Sequence, residues 1–531
     1  MKKYISLAVF LLAVFSAHPQ GISSIQQRKL AQALSAISGM YVDTINDKKI
    51  IESTIRGVLE ELDPHSTYIP KEEVQRMHEP LEGSFDGIGV QFQIIKDTIN
   101  VVQTVSGTPA EKVGVLPGDK IVYIENESVA GIKIQNTDVF KRLRGKRGTP
   151  VNIRVKRGNA AELIDFKIIR DKIPIYSVDA SYMLTDKIGY IKINSFGSTT
   201  TEEFNKALKT LKSKGMKDLV ISLERNGGGF LKTSIELADE LLPAKQLIVY
   251  TEGLNAPRTE AKATAAGNFE SGRVVILIDE FSASASEILS GAVQDWDRGV
   301  LIGRRTFGKG LVQREVSLAD GSMMRLTVAR YYTPTGRSIQ KPYVNGGAKD
   351  YNKDLEERFE KGEMMHPDSI HFPDSLKFNT LTANRTVYGG GGIMPDIFIP
   401  MDTTENTLYH RRIVGKGVVN STMIEYLNIN RDELRKKYPS FDAFNKNYEA
   451  DESLLKILID NAEKEGIKPD EKDFNRSKRV IKLQLKAMIA NDLWGLNEYY
   501  EVINSDNKSL QKAVEILNTK GAYDKMLGKK K

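Results

Sequence analysis

The sequence predicts a multidomain α/β protein: a layered βα core with a small β-barrel inserted on its N-terminal side and helical regions at both ends. Three observations carry this. A chain of 531 residues is longer than one hydrophobic core organises. From Tyr176 to Val300, apolar strands alternate with helical stretches, the pattern of a layered domain with a largely parallel sheet. From Gly83 to about Arg170 the hydrophobic period switches to two.

Taken in order, the chain opens with Lys2-Lys3, an apolar run from Ile5 to Phe15 and small residues at Ser16 and Ala17, which reads as a cleaved signal peptide over 1–17. The run is shorter than the roughly 20 residues that span a bilayer, and no later segment reaches that length, so a soluble periplasmic protein with no stable membrane span is expected. The sequence has no cysteine, which excludes disulfides, thiol catalysis, iron–sulfur ligation and a lipidated cysteine. Its formal charge of +7 is spread over 76 basic and 69 acidic residues with no basic stripe, so no nucleic-acid partner is expected. With 40% hydrophobic and 27% charged residues, a folded chain is expected throughout.

A helical region over 24–82 follows, closing on Leu62-Asp63-Pro64-His65-Ser66, where the proline stops the helix. Over 83–172 four period-two strands surround a short helix, Thr108 to Gly114, with proline at its start and glycine at its end, and a second helix from Thr137 to Leu143. This order resembles a PDZ domain in the circularly permuted form of bacterial proteases. Gly87-Ile88-Gly89-Val90 matches the loop with which such domains hold a peptide C-terminus; physically, N–H groups freed by glycine take a carboxylate while the next strand offers an edge. An ordinary glycine turn is the plain alternative.

The core, over 173–400, alternates strands at Gly189–Ile193, Leu219–Leu223 and Val274–Ile278 with helices at 202–213, 231–241 and 284–295. Antiparallel strands are expected from Val316 to Tyr332, and a polar, glycine-rich excursion from Lys341 to Gly392. The region 401–531 reads as helical and charged, with no role legible from its periodicity.

Chemistry concentrates at Phe281-Ser282-Ala283-Ser284-Ala285-Ser286-Glu287, after a strand and opening a helix, where a layered domain places its ligand face. Ser284 there would stand beside backbone donors for an oxyanion. Ser284 and Glu287 equally form a helix capping box. A nucleophilic serine needs a base, and none of the six histidines adjoins a core strand end. Lys309, flanked by Gly308 and Gly310 after the apolar Val300-Leu301-Ile302 run, is the better base: burial disfavours an ammonium, and a neutral amine can take the serine proton. A simply exposed loop is the alternative; a nucleotide P-loop is rejected for want of its motif. Asn226-Gly227-Gly228-Gly229 lets backbone N–H groups face a substrate at a helix N-terminus.

Together these segments, with Pro117-Gly118-Asp119 and Tyr332-Thr333-Pro334-Thr335-Gly336-Arg337, resemble the carboxyl-terminal processing peptidases, or tail-specific proteases, from about Leu30 to Pro400. The resemblance implies a ClpP/crotonase-like protease core, nucleophile Ser284 and base Lys309, 25 positions on. It implies that Gln313 orients the lysine, that Glu287 is the acidic residue near the dyad, and that Ala285 and the Gly228-Gly229 pair donate to the oxyanion. It also implies a serine endopeptidase without cofactor or metal, whose partner is the C-terminus of a protein or peptide; a homo-oligomer or an adaptor is left open. The chain departs from the family at Ser222-Leu223-Glu224, where Asp-Leu-Arg is frequent, which puts the usual arginine pairing in doubt. A scaffold that only binds peptides, or an acyl-CoA enzyme sharing the crotonase layering, are the competing classes; the intact Ser284, Lys309 and Gln313 oppose the first and an export signal opposes the second.

Overall fold

The computed structural model describes residues 21–158 and 160–528, so the expected signal peptide lies outside the described residues. No helix among the described residues is long and apolar enough to cross a membrane. The central sheet has strand order Val178–Met183, Ile188–Ile193, Asp218–Ser222, Val274–Ile278, Val300–Gly303 and Ile397–Phe398. All neighbours run parallel except the first strand, which pairs antiparallel with the second. Parallel strands need both faces covered. Ile191, Ile221, Ile276 and Leu301 pack with Phe204, Leu208, Leu237 and Leu289 from helices Thr200–Ser213, Leu231–Asp239 and Ala285–Asp295. Tyr190, Val220, Val275 and Ile302 point the other way.

That second face is closed by the far end of the chain: Leu510, Ala513, Leu517 and Tyr523 of helices Lys508–Asn518 and Ala522–Met526 pack against it. Residues 401–531 therefore do not act as one layer. Helices from Leu408 to Ile503 build their own core around Phe444, Leu454, Ile481 and Leu485. The last two complete the sheet.

A second sheet joins Leu247–Gly253, Ala256–Lys262 and the hairpin Leu311–Ser317 and Met323–Tyr332, with Thr67–Ile69 on its edge. This last strand, within a stretch expected to be wholly helical, pairs Thr67 with Arg325 and Ile69 with Met323, which carries the Asp63-Pro64-His65-Ser66 turn to the core. Helix Ser24–Met40 buries none of its residues. The excursion from Lys341 holds a helix, Ala348–Glu360, which the polar composition did not announce.

The inserted barrel has strand order Val90–Ile95, Thr98–Thr104, Lys120–Ile124, Pro150–Lys156, Ile164–Ile169 around Ile99, Val101, Ile121 and Val151, all fully buried. It is rooted by an antiparallel pair, Ser84–Gly87 with Asp171–Pro174. The helical region steadies it from the other side: Lys96 pairs with Glu425 at 2.6 Å, and Arg431 donates to the Pro117 carbonyl at 3.2 Å. Gly118 has φ +91°, and a Cβ there would stand 2.4 Å from Asn428 Oδ1, so a side chain in this turn would strain the backbone and displace the Asn428 amide of the helix Val418–Lys437.

Candidate active site

The chain leaves Val274–Ile278, turns through Asp279 to Ala283 and enters helix Ala285–Asp295 at Ser284, whose φ of +56° and ψ of −113° lie where side chains are disfavoured. Such backbone costs about 1–3 kcal/mol and persists only where surroundings impose it. They do so here: Ser282 Oγ donates to the Leu223 carbonyl (2.8 Å), Ala283 N–H to the Asn226 carbonyl (3.0 Å), and Ser284 N–H to Glu287 Oε2 (2.8 Å). The turn sets the half-buried Ser284 at the helix N-terminus, facing a cleft of about 580 Å³.

The same cleft is lined by Lys309, Gln313 and the Gly227-Gly228-Gly229 turn. Lys309 Nζ donates to Gln313 Oε1 at 3.0 Å, and among the described residues it has no carboxylate partner. Burial, reinforced by the nearby Arg325 charge, holds its amine below the ordinary lysine range, with Glu287 and Asp63 pulling weakly the other way. Gln313 is locked in turn, since its Nε2 donates to the His65 carbonyl at 2.7 Å. No histidine adjoins a core strand end in the sequence, yet the antiparallel strand Thr67–Ile69 carries His65 in behind the lysine. Its imidazole is turned to Tyr351 (3.0 Å) and is held neutral, pushed down to about 4 by burial and then by the Lys309 charge.

Glu287, fully buried, joins the two loops. Its Oε1 accepts from Thr306 Oγ1 (2.5 Å) and Gly308 N–H (2.7 Å), and its Oε2 from Ser284 N–H (2.8 Å) and Lys309 N–H (2.9 Å). Burial pushes its carboxyl up to about 7 against the pull of these four donors. Tyr331, unremarked in the sequence, makes a second tie: its buried hydroxyl lies between the carbonyls of Ser284 (3.1 Å) and Lys309. Only the hairpin pairing that brings Tyr331 under both loops reveals it.

Of the expected oxyanion donors, Ala285 N–H and Gly229 N–H have no acceptor among the described residues. Gly228 is corrected: its N–H donates to Asn226 Oδ1 at 2.9 Å. Asn226, fully buried, also donates to the Ile193 carbonyl (3.0 Å), so one side chain fixes the glycine turn against the sheet. Gly228 is there for its shape. With φ +101°, its Cβ would lie 2.8 Å from the Ala283 carbonyl and 2.9 Å from Ser284 Cβ. Gly228→Ala is therefore expected to push the two turns apart and lower kcat about a hundredfold, measured on a peptide ending in an apolar tail.

In the barrel, Ile88 N–H and Gly89 N–H have no acceptor among the described residues, and Val90–Ile95 is an edge strand. Gly89 has φ +84°, and a Cβ would strike Thr108 Oγ1 at 2.1 Å. Gly87 ends the rooting pair opposite Asp171. None of Gly87, Ile88, Gly89 and Val90 lines the cleft of Ser284. The departure at Glu224 is absorbed locally, as its carboxylate accepts from Ser222 Oγ (3.1 Å) and Asn507 Nδ2 (3.0 Å) from the helical end of the chain.

A layered core presenting a strained serine and a buried amine in one cleft, with a barrel inserted before it, defines a serine peptidase with a PDZ domain. A model of peptidase family S41 matches residues 187–351 and a PDZ model matches 87–168. Residues 15–73 match the N-terminal domain of the activating protease CtpB, and 409–495 match a family of unknown function. The carboxy-terminal-processing protease of Bartonella bacilliformis is 35% identical over 347 residues, 62% of this chain and 78% of that one. Carboxy-terminal processing protease CtpA of Bacillus subtilis is 33% identical over 344 residues, 63% and 73% of the two chains. A solved photosystem II D1 C-terminal processing protease aligns with 61% of this chain and 92% of its own at 27% identity, with a TM-score of 0.34. The chain belongs to the carboxy-terminal processing proteases.

Proposed function

We propose that the chain is an exported endopeptidase of the periplasm, divided as 24–82, 83–172, 173–400 and 401–531 after its leader, which captures a protein's C-terminal tail on the PDZ domain and cleaves it with a Ser284–Lys309 dyad. The observation that carries this is a buried lysine amine, free of any carboxylate among the described residues, in one cleft with a serine at a helix N-terminus.

Neutral Lys309 takes the Ser284 proton as Oγ bonds to the scissile carbonyl carbon. Charge on the carbonyl oxygen meets the N–H groups of Ala285 and Gly229. The C–N bond breaks as Lys309 returns the proton to the leaving amine, leaving an acyl-enzyme. Water then loses a proton to Lys309 and adds to the ester, and Ser284 recovers its proton as the acid departs.

Tail capture rests on the free Ile88 and Gly89 N–H groups and the open edge of Val90–Ile95. A substrate whose C-terminal carboxylate is amidated is expected to show KM raised about tenfold with kcat unchanged, because charge-assisted hydrogen bonds at a site remote from the reacting atoms are lost. Equal KM for the free and amidated substrates would refute carboxylate capture.

A further inference from the structure

The helix Ala348–Glu360, within the excursion from Lys341, lies against the outer side of the lysine loop. Arg358 donates to the carbonyls of Arg305 (2.8 Å) and Thr306 (3.1 Å). Buried Lys341 stands over the rings of Tyr351 (3.9 Å) and Phe307 (4.1 Å) and pairs with Asp354 at 3.0 Å. Tyr351 itself is buried, with its hydroxyl at a junction of hydrogen bonds.

Gly310 N–H donates to Gln340 Oε1 at 2.8 Å, so Gln340 must turn its NH2 to the Tyr351 oxygen, 3.2 Å away. The Tyr351 hydroxyl shares its second hydrogen bond with His65 Nε2 at 3.0 Å, and either imidazole tautomer keeps that tie. The His65 backbone is pinned by Asp63 Oδ1, which accepts from the N–H of His65 and of Ser66 at 2.9 Å each. The His65 carbonyl accepts from Gln313, and Gln313 accepts from Lys309 Nζ. The circuit thus starts at Gly310 and returns to the amine of the residue before it.

We propose that Tyr351 is a positioning residue for acyl transfer: by clamping His65 it fixes the amide of Gln313, and so the direction in which the Lys309 amine presents its lone pair. This rests on the Ser284–Lys309 reading. An amide free to turn would offer Lys309 an NH2 where the amine needs an acceptor. A circuit with one open link lets that happen without emptying any volume.

The test compares Tyr351→Phe, Gln313→Ala and the double variant on a peptide ending in an apolar tail, beside Lys309→Ala. Tyr351→Phe is expected to lower kcat about tenfold with KM unchanged, and the double variant to be no slower than Gln313→Ala alone. A wild-type kcat in Tyr351→Phe, or losses that multiply in the double variant, overturns the positioning role. Cleavage by Lys309→Ala overturns instead the dyad on which it rests. Should Tyr351→Phe melt below the assay temperature, Gln340→Met opens the circuit one link earlier and is held to the same two outcomes.

Discussion

Lys309→Ala and Ser284→Ala are each expected to lower kcat at least about 10⁴-fold, and the double variant to be no worse than either, because in the proposed dyad both act on one proton transfer. Lys309→Arg is expected to be as inactive, since a guanidinium does not give up its proton. The fold is expected to survive these changes. At neutral pH an unfolded lysine is charged, whereas the native site disfavours the charge, so replacing Lys309 removes an unfavourable term and the unfolding midpoint should not fall. The same depression gives the sign of the pH profile: the neutral fraction of Lys309 grows as pH rises, so kcat rises with pH and levels off below the ordinary lysine value of 10.5. Cleavage by Ser284→Ala, or a profile that falls as pH rises from neutrality, would refute the dyad.

Local pattern carried much of this site. Ser284, Lys309 and the glycines after Asn226 sit at the ends of neighbouring parallel strands, so strand–helix alternation alone places their loops on one side of the sheet. What it could not reach were contacts across the chain. His65 meets Gln313 at a separation of 248 residues, through an edge strand of three residues, too short for a period to register. Tyr331 belongs to a strand whose burial alternates poorly because it serves three neighbouring strands. Helix Lys508–Asn518 is amphipathic, but nothing in its own residues says that its apolar stripe faces the distant strands Asp218–Ser222, Val274–Ile278 and Val300–Gly303 rather than the adjoining helices; only the uncovered face of that sheet demands it. Asn226 explains the Gly228 correction in the same terms. A glycine turn frees N–H groups, but which one stays free depends on where the preceding side chain points.

Glu287 shows how one signal can conceal another. Three residues after Ser284 it reads as half of a capping box, yet its carboxylate also accepts from Thr306, Gly308 and Lys309, which makes it the joint between the Ser284 turn and the Lys309 loop. Glu287→Gln keeps the volume and leaves one oxygen to serve donors that now occupy two. Unlike a protonated carboxyl, whose hydroxyl oxygen still accepts, an amide NH2 accepts nothing. Two buried donors are orphaned at a cost of about 1–3 kcal/mol each, so an unfolding free energy lower by about 4 kcal/mol is expected, read from denaturant titration. With the loops unpinned, kcat should fall about a hundredfold or more. The pH dependence separates the two roles. The carboxyl titrates at about 7 folded against 4.5 unfolded, so the folded chain holds the proton more tightly. Its stabilising contribution is full below 4.5 and is lost as pH rises through about 7, by about 3 kcal/mol at most. Activity is expected to rise over the same range, because only the ionised carboxyl takes all four donors without a proton of its own to place among them. In Glu287→Gln the fall in stability between pH 5 and 8 should shrink by that amount; a variant that melts and titrates like wild type would show that the carboxylate does not join the loops.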